Sequence, residues 1–392
     1  MARKVYVVPG ILGSEIFQDQ PILPNLLWVQ PARLALGHVT KLTLGPGGIQ
    51  PDPSIGDTCY AGEPLVDYYG QAADRLAKDL PASYSVIRYG YDWRRDLSLI
   101  GRSLAGLISG QSSASEPASI VAHSQGGLIA RMAWYCLFLS GETAKLRRIV
   151  TIGTPHEGCY KPNEVLCGRD EVIDQIRLAE TFTAGLTDLS PIGGITGLPH
   201  SRDEIAAVIA SWPSVFQLMP LVNPETLQDD PWRSRNYNKE AWLPRLAGRT
   251  QWLDYASGPW SAILNSHQSQ PPTDVLIAVG ATGFDTLYAI KGSGNVQDAS
   301  SYYSNAEGDG TVYLGSAIPP WATGEIVWGE HGDLMLRSYV LANLARWVLL
   351  DIPTPPEPTG PIGLQPPLTF EVPGRLVAGP PFTVDPALFF DP

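Results

Sequence analysis

Ser124 lies in the segment 122–127, which reads AHSQGG, between an apolar β-branched run and a long apolar stretch of helical spacing. A serine with a small residue two positions before it and a glycine two positions after it is the pattern of a nucleophile elbow, here with alanine in place of the commoner first glycine. Such a tight turn strains the serine backbone, and the helix N-terminus beneath it favours developing negative charge. We therefore expect Ser124 to be a nucleophile; the alternative is an ordinary glycine-rich helix start.

A serine hydroxyl is a poor nucleophile at its own pKa and needs a histidine base, which a carboxylate orients. Of the six histidines, His331 follows the last predicted strand and precedes the last predicted helix, where the base is expected. His123 adjoins the serine, so we expect its side chain to point elsewhere and to serve packing. His156 follows a strand, and loop ordering or pocket lining is expected for it. The others lie in predicted insertions: His38, His200 and His267.

The orienting acid should lie between Ser124 and His331 in the chain, on a turn near the strand ends. Asp309 fits, because glycines flank it and an apolar run follows. Asp285 and Asp298 are its rivals, although both are more simply interpreted as turn formers. The sequence therefore predicts Ser124, Asp309 and His331 as a catalytic triad.

Attack by a serine on a carbonyl also needs hydrogen-bond donors for the oxyanion, usually backbone amides. One donor should be the residue after the nucleophile, Gln125. The other should come from the loop after the first strand, where the segment 9–14 reads PGILGS. Ile11 follows the Pro-Gly pair and is the second predicted donor.

Six short apolar runs end at glycine or at polar residues, and they are continuous rather than alternating, as in strands covered on both faces. They are Lys4–Val8, Tyr84–Tyr89, Ala118–Ala122, Arg148–Ile152, Asp274–Val279 and Glu325–Trp328. Helical spacing is found at Tyr68–Leu80, Leu128–Leu139 and Leu334–Leu350, the last after a predicted N-cap at Asp333. Strands that alternate with helices predict a mostly parallel α/β sheet with its site at the carboxyl ends of the strands.

Two regions interrupt this alternation. Residues 156–272 have little strand character and several tryptophans, and Ser201 with Glu204 has capping-box spacing, so we expect a cap or lid. A smaller insertion is expected at about 25–60. The predicted core is then 1–155 with 273–350, and residues 351–392 should form a proline-rich tail packed on it.

Net charge and motifs exclude several classes of function. A formal charge of −12 disfavours nucleic acid and anionic membranes as partners. No His-x-x-x-His or Cys-x-x-Cys cluster is present, so neither a metal nor a cofactor is expected. A disulfide between Cys159 and Cys167 stays open. Without a signal peptide or membrane span in the sequence, a cytoplasmic protein is the default expectation.

Five motifs occur in the order found in lecithin:cholesterol acyltransferase-like proteins, which include lysosomal phospholipase A2. They are VPGILGS (8–14), YDWR (91–94), AHSQGG (122–127), GDGTV (308–312) and EH (330–331). The chain resembles this family over about residues 4–350, YDWR being the most specific motif, and Trp28 looks like a further family feature. The resemblance implies an α/β-hydrolase fold, an acyl-enzyme on Ser124, an ester or lipid substrate and transient contact with a lipid interface.

The leading hypothesis is a carboxylic-ester hydrolase of lipase or phospholipase type. The alternative is an acyltransferase that passes the acyl group to an alcohol, because both reactions use the same triad. A non-catalytic binding module would be expected to lack a member of the triad. Acyl-chain length, head group and oligomeric state stay open.

Overall fold

The computed structural model describes residues 2–18, 25–28, 38–45, 59–177, 200–221, 235–242, 245–246, 249–269, 271–292, 294–350, 371–372 and 375–376. Most of the predicted small insertion at 25–60 and of the predicted tail at 351–392 lies outside these residues. So does the side chain of His38.

The strands are labelled in chain order. They are β1 (Arg3–Val8), β2 (Ser14–Gln18), β3 (Asn25–Trp28), β4 (Cys59–Pro64), β5 (Tyr84–Arg88), β6 (Ala118–His123), β7 (Leu146–Ile152), β8 (Leu276–Thr282), β9 (Thr286–Ile290), β10 (Tyr302–Asn305), β11 (Thr323–Trp328), β12 (Glu371–Val372) and β13 (Arg375–Leu376). A six-stranded sheet has the order β11-β8-β7-β6-β1-β5, and every pairing in it is parallel. The small sheets β3-β2-β4, β9-β10 and β12-β13 are antiparallel.

The helices are labelled likewise. They are α1 (Gln71–Asp79), α2 (Leu97–Gln111), α3 (Gln125–Leu139), α4 (Lys161–Leu166), α5 (Arg202–Ile209), α6 (Pro213–Gln217), α7 (Lys239–Trp242), α8 (Gln251–Tyr255), α9 (Ser261–Ser269), α10 (Leu314–Ala317) and α11 (Ser338–Leu349). Residues 171–177 are also helical. Short 3₁₀ segments are His38–Leu42, Thr143–Lys145, Ala299–Ser301 and His331–Leu336, and π turns are Val66–Gly70 and Ala256–Trp260.

Helices cover both faces of the large sheet, which is why its strands are continuous apolar runs. In β1, Tyr6 and Val8 pack in one core cluster with side chains of α2 and α3. Val5 and Val7 pack in the other with α1 and α11. Every residue of β6 is buried. The six predicted strands are confirmed, and so is the predicted mostly parallel α/β sheet.

The strand order creates a crevice at the carboxyl ends of β1 and β6. Strand β1 lies between β5 and β6, so the chain leaves β1 to one side and returns to its other side. In open parallel sheets, ligands bind where neighbouring connections diverge in this way. The loop after β1 and the turn after β6 therefore face the same space.

The last helix differs from the prediction, which began it at Leu334 with Asp333 as its N-cap. The helix α11 begins at Ser338, and its N-cap is Arg337, whose backbone is extended. Asp333 lies instead within the 3₁₀ segment His331–Leu336, where Leu334 and Met335 are buried. This tighter segment anchors the chain just after β11, and the extended residue then redirects it into α11.

Residues 156–272 contain helices and no strand in the part that the structure describes. The predicted capping box is confirmed, because the Glu204 amide donates to Ser201 Oγ and the Ser201 amide donates to the Glu204 carboxylate. The helix α5 ends at Ile209. Trp212 is extended, because Pro213 disfavours helical backbone at the residue before it.

Two further observations concern the cysteines and membranes. All four cysteines are free thiols, so Cys159 and Cys167 are not joined, and burial raises the pKa of Cys159 to about 12. No described helix has both the length and the apolar character needed to cross a bilayer.

His267 should make the fold sensitive to acid. Burial, with the nearby Arg131 guanidinium, lowers its pKa to about 2, and neither ring nitrogen has a partner in the described structure. In the unfolded chain a histidine has a pKa of about 6.5. Stability is therefore fully present above that pH and is lost as pH falls below it, by up to about tenfold in the folding equilibrium constant per pH unit.

Removing the imidazole should remove this part of the acid sensitivity. We expect His267→Leu to lose less stability than the wild type between pH 7 and pH 5, as measured by denaturant unfolding at both values. Parallel losses in the two proteins would contradict this role for His267.

Candidate active site

Ser124 sits on the sharp turn between β6 and α3 with φ +53° and ψ −126°. Two glycines allow the backbone to pack around it. A Cβ added at Gly126 would lie 2.6 Å from the Val8 carbonyl oxygen. One added at Gly10 would lie 2.8 Å from Ser124 Cβ. The first small residue of the elbow, Ala122, is fully buried, so the turn has the strained geometry that the segment predicts.

The structure brings Ser124, His331 and Asp309 into one row of hydrogen bonds. Ser124 Oγ is 2.9 Å from His331 Nε2, and His331 Nδ1 is 2.8 Å from Asp309 Oδ2. An ionised carboxylate only accepts, so His331 donates from Nδ1 and accepts the Ser124 hydroxyl at Nε2. This is the proton arrangement that a general base needs.

Asp309 is fully buried, and its other oxygen is also bonded. The amides of Thr311 and Val312 donate to Oδ1 at 3.0 and 2.6 Å. The His331 amide donates to the Asp309 carbonyl at 2.9 Å, which joins the two loops through their backbones. The carboxylate is thereby held toward the histidine.

Of the two rival aspartates, Asp298 is the predicted turn former, whereas Asp285 bonds a side chain of β10. Asp298 accepts from the Ser300 amide at 2.9 Å, and this bond lowers the pKa of its exposed carboxyl. Asp285 accepts from Ser304 Oγ at 3.0 Å. Neither rival contacts His331.

The loop after β1 forms a turn in which the Gly13 amide donates to the Gly10 carbonyl at 3.1 Å. Leu12, the third residue of that turn, has φ +62°. This is the left-handed position of a type II turn, which glycine usually fills. Within the described chain, the amides of Ile11 and Gln125 have no hydrogen-bond partner, which leaves both predicted donors available.

Four aromatic side chains hold this loop, which we call the oxyanion loop (residues 9–14), through its backbone. The bonds are Tyr91 Oη to Pro9 O (2.8 Å), Gly10 N to Tyr69 Oη (2.9 Å), Trp28 Nε1 to Leu12 O (2.7 Å) and Trp93 Nε1 to Ser14 O (2.9 Å). A leucine keeps a left-handed backbone conformation only where the surrounding structure holds it in place, and these four hydrogen bonds hold Leu12 in this way.

The YDWR segment at 91–94 has a structural role. Arg94 is fully buried and pairs with Asp92 at 2.7 Å. It also donates to the Leu42 carbonyl at 3.2 Å. Because Tyr91 and Trp93 of the same segment bond the oxyanion loop, the ion pair fixes the strand end that supports this loop.

A cavity of about 400 Å³ opens at Ser124 and His331. Most of its wall is apolar, from the oxyanion loop, the turn before α1 and the helix at 171–177. These side chains are Ile11, Leu12, Trp28, Leu65, Val172 and Ile176. No lysine, arginine, aspartate or glutamate is among the described residues that line it, so the cavity favours an uncharged, apolar group.

The tryptophans of residues 156–272 that the structure describes mostly pack in the core and do not line this cavity. Trp212, Trp242 and Trp260 are buried in the core. Trp212 packs edge-on against Trp93, with ring centroids 5.0 Å apart, behind the oxyanion loop. Trp232 lies outside the described residues. In the described wall, only Trp28 brings an indole to the cavity.

Two other histidines, His123 and His156, lie at or just after the carboxyl ends of β6 and β7. His156 orders its loop, as expected. Its Nε2 lies 2.9 Å from Thr151 Oγ1, and its carbonyl oxygen accepts a hydrogen bond from the Arg131 guanidinium at 2.7 Å. The expectation that the His123 side chain points away from the site was wrong. Its ring lines the cavity, and its Nε2 lies 3.0 Å from the His331 carbonyl oxygen.

Tyr69, which bonds both Gly10 and His123, was not predicted at all. It lies in an apolar stretch of helical spacing, and no local motif marks it. Only the packing of that stretch beside β1 brings its hydroxyl to the site, so the sequence carried no signal for it.

Comparison with known proteins identifies the fold and no closer relationship. No family model matches the chain, and no match was found among curated proteins. A chain in the crystal structure of the Tle4–Tli4 complex is similar over 90% of this chain and 99% of its own, with 11% identity and a TM-score of 0.54. EstA from Clostridium botulinum aligns over 89% and 87%, with 13% identity and a TM-score of 0.35.

A third solved structure, the mature lipase BlEst2 of Bacillus licheniformis, aligns over 85% of this chain and 86% of its own, with 13% identity and a TM-score of 0.33. Of these three similarities, only that to the chain of the Tle4–Tli4 complex is strong enough to support an argument, and at 11% identity it shows the fold alone. Together with the parallel six-stranded sheet flanked by helices, it shows that the chain has the α/β-hydrolase fold.

The close approach of Gly10 to the serine gives a steric test. A methyl group at Gly10 must displace Ser124, and a misplacement of about 1 Å in a reacting group costs about 100-fold in rate. We expect Gly10→Ala to slow labelling of Ser124 by a fluorophosphonate by about that factor, as followed by intact mass.

The matched control is Gly106→Ala on α2, where an added Cβ meets nothing within 4 Å. It should leave labelling unchanged and stabilise the helix by about 0.5–1 kcal/mol. Equal labelling of both variants would show that Gly10 does not set the position of the serine.

Proposed function

We propose that this chain is a serine-dependent carboxylic-ester hydrolase that acts through an acyl-enzyme on Ser124. The observation that carries the proposal is the unbroken row of hydrogen bonds from Asp309 through His331 to Ser124. This row ends at the wall of an apolar cavity. A serine with a positioned base, next to space for an acyl group, has what acyl transfer requires.

In the first step, Ser124 Oγ attacks the ester carbonyl carbon while His331 Nε2 takes the hydroxyl proton. The oxyanion accepts hydrogen bonds from the Ile11 and Gln125 amides, each of which stabilises the transition state by about 3–4 kcal/mol. The bond to the alcohol then breaks, and His331 returns the proton to the leaving oxygen. Asp309 keeps the imidazole in the right tautomer and stabilises its charged form.

In the second step, water gives a proton to His331 Nε2 and attacks the acyl carbon. The bond to Ser124 Oγ breaks, the carboxylic acid leaves, and His331 returns the proton to the serine.

An alcohol in place of water would make the reaction an acyl transfer. A glycerol or sterol acceptor in the assay separates the two, because only a transferase converts it to an ester.

We further propose a lipid or similar ester as the substrate, in keeping with the resemblance to lecithin:cholesterol acyltransferase-like proteins. The apolar wall without charged side chains suits an acyl chain. Residues 156–272 would act as a cap, since Val172 and Ile176 reach the cavity from that segment.

Hydrolysis of p-nitrophenyl esters from acetate to palmitate tests the activity and its substrate class. We expect activity that rises with chain length, because longer chains bury more apolar surface in the cavity. In Ser124→Ala we expect it to fall by at least about 10⁴-fold. Activity confined to short chains would exclude the lipid substrate, and full activity in Ser124→Ala would refute the serine mechanism.

The role of Asp309 is tested by Asp309→Asn, which keeps the shape of the side chain. An amide nitrogen facing His331 would force the wrong tautomer, so we expect kcat to fall by about 10⁴-fold on p-nitrophenyl butyrate. The control is Asp298→Asn, in the exposed turn, which should keep nearly full activity. Equal losses in the two variants, or none in Asp309→Asn, would reassign the acid.

A further inference from the structure

Two side chains outside the row of Asp309, His331 and Ser124 connect the oxyanion loop to the backbone of His331. The Gly10 amide donates to Tyr69 Oη at 2.9 Å. Tyr69 Oη is 2.9 Å from His123 Nδ1, and His123 Nε2 is 3.0 Å from the His331 carbonyl oxygen. The chain of bonds is continuous, and Tyr69 and His123 are both buried.

The direction of every bond in this chain is determined. The His331 carbonyl can only accept, so His123 must donate from Nε2 and accept at Nδ1. The Tyr69 hydroxyl must then donate to His123, which leaves its oxygen to accept from Gly10. Each of these donors and acceptors is thus satisfied, and only one tautomer of His123 fits.

His123 must also be neutral for this pattern to exist, because a protonated ring would have no acceptor for Tyr69. Burial, followed by the proximity of His331, lowers the pKa of His123 to about 3. Its ring centroid lies 4.9 Å from that of His331. A neutral His123 therefore adds no positive charge next to His331 when the latter takes a proton.

We propose that Tyr69 and His123 form a positioning relay that holds the general base and the oxyanion loop in register. The proposal rests on the proposed function. His331 is held at its amide by the Asp309 carbonyl and at its own carbonyl by His123. The same relay holds Gly10, which precedes the predicted donor Ile11. Neither relay side chain is assigned to substrate; they act through the two loops.

A double-mutant cycle tests the relay. Tyr69→Phe removes one hydroxyl, and His123→Phe removes both hydrogen bonds of the imidazole while keeping a ring. We expect each to lower kcat for p-nitrophenyl butyrate by about tenfold, with KM nearly unchanged. Because both break one chain of bonds, the double variant should lose no more than the worse single variant. His123→Gln, with one donor and one acceptor, should restore part of the loss.

The matched control is Tyr302→Phe. Tyr302 is also buried and its hydroxyl makes two hydrogen bonds, to Val296 and Asn163, but it does not line the cavity. This variant should lose stability and keep kcat. If His123→Phe does not fold, His123→Asn takes its place, because its shorter amide cannot span both partners.

Losses that multiply in the double variant, or an equal fall of kcat in Tyr302→Phe, would overturn the relay. Ser124→Ala in the same assay separates this failure from that of the proposed function. If Ser124→Ala is inactive while Tyr69→Phe behaves like Tyr302→Phe, only the relay is refuted. If Ser124→Ala stays active, the hydrolase mechanism is refuted as well.

Discussion

Ser124 holds a backbone conformation that an L-residue enters only at a cost, typically about 1–3 kcal/mol, and its surroundings are arranged to keep it there. Its φ of +53° turns the chain from β6 into α3 within a single residue. That turn is compatible with close packing only because Gly126 lies against the Val8 carbonyl and Gly10 against the serine itself. The adjacency of β1 and β6 in the sheet is therefore a requirement of the nucleophile as well as a feature of the fold.

A second strained residue depends on the same arrangement. Leu12 is left-handed in the oxyanion loop, where a glycine would be unstrained. Indole and phenol groups from three separate parts of the chain bond the backbone of that loop. Rigid aromatic side chains lose little conformational entropy on ordering, so they suit a loop whose amides must be positioned before the substrate arrives. The ion pair between Asp92 and the buried Arg94 supports two of these aromatics, Tyr91 and Trp93, in the same segment.

Much of this architecture could be predicted from the sequence, and the reason is geometric. In a parallel sheet the carboxyl ends of the strands meet at one edge, so Ser124 and His331, which follow predicted strands, were expected close together. Asp309 was expected with them from its flanking glycines and from the order of the three residues in the chain. What local patterns do not encode is the approach of elements far apart in the chain. Tyr69 bonds Gly10 and His123 across a gap of more than fifty residues on either side. The 3₁₀ segment after β11 was likewise not predicted. Leu334 and Met335 fit the apolar pattern of the helix predicted over Leu334–Leu350, but they are buried in a tighter turn before that helix begins.

If Ser124 carries the acyl group during turnover, that group can be trapped on it. The most direct test is rapid acid quenching of the wild-type protein during hydrolysis of p-nitrophenyl butyrate, followed by peptide mass mapping. We predict a butyryl group on the peptide that contains Ser124, and none in Ser124→Ala. A butyryl group on another residue, or wild-type turnover of the ester by Ser124→Ala, would contradict an acyl-enzyme on Ser124.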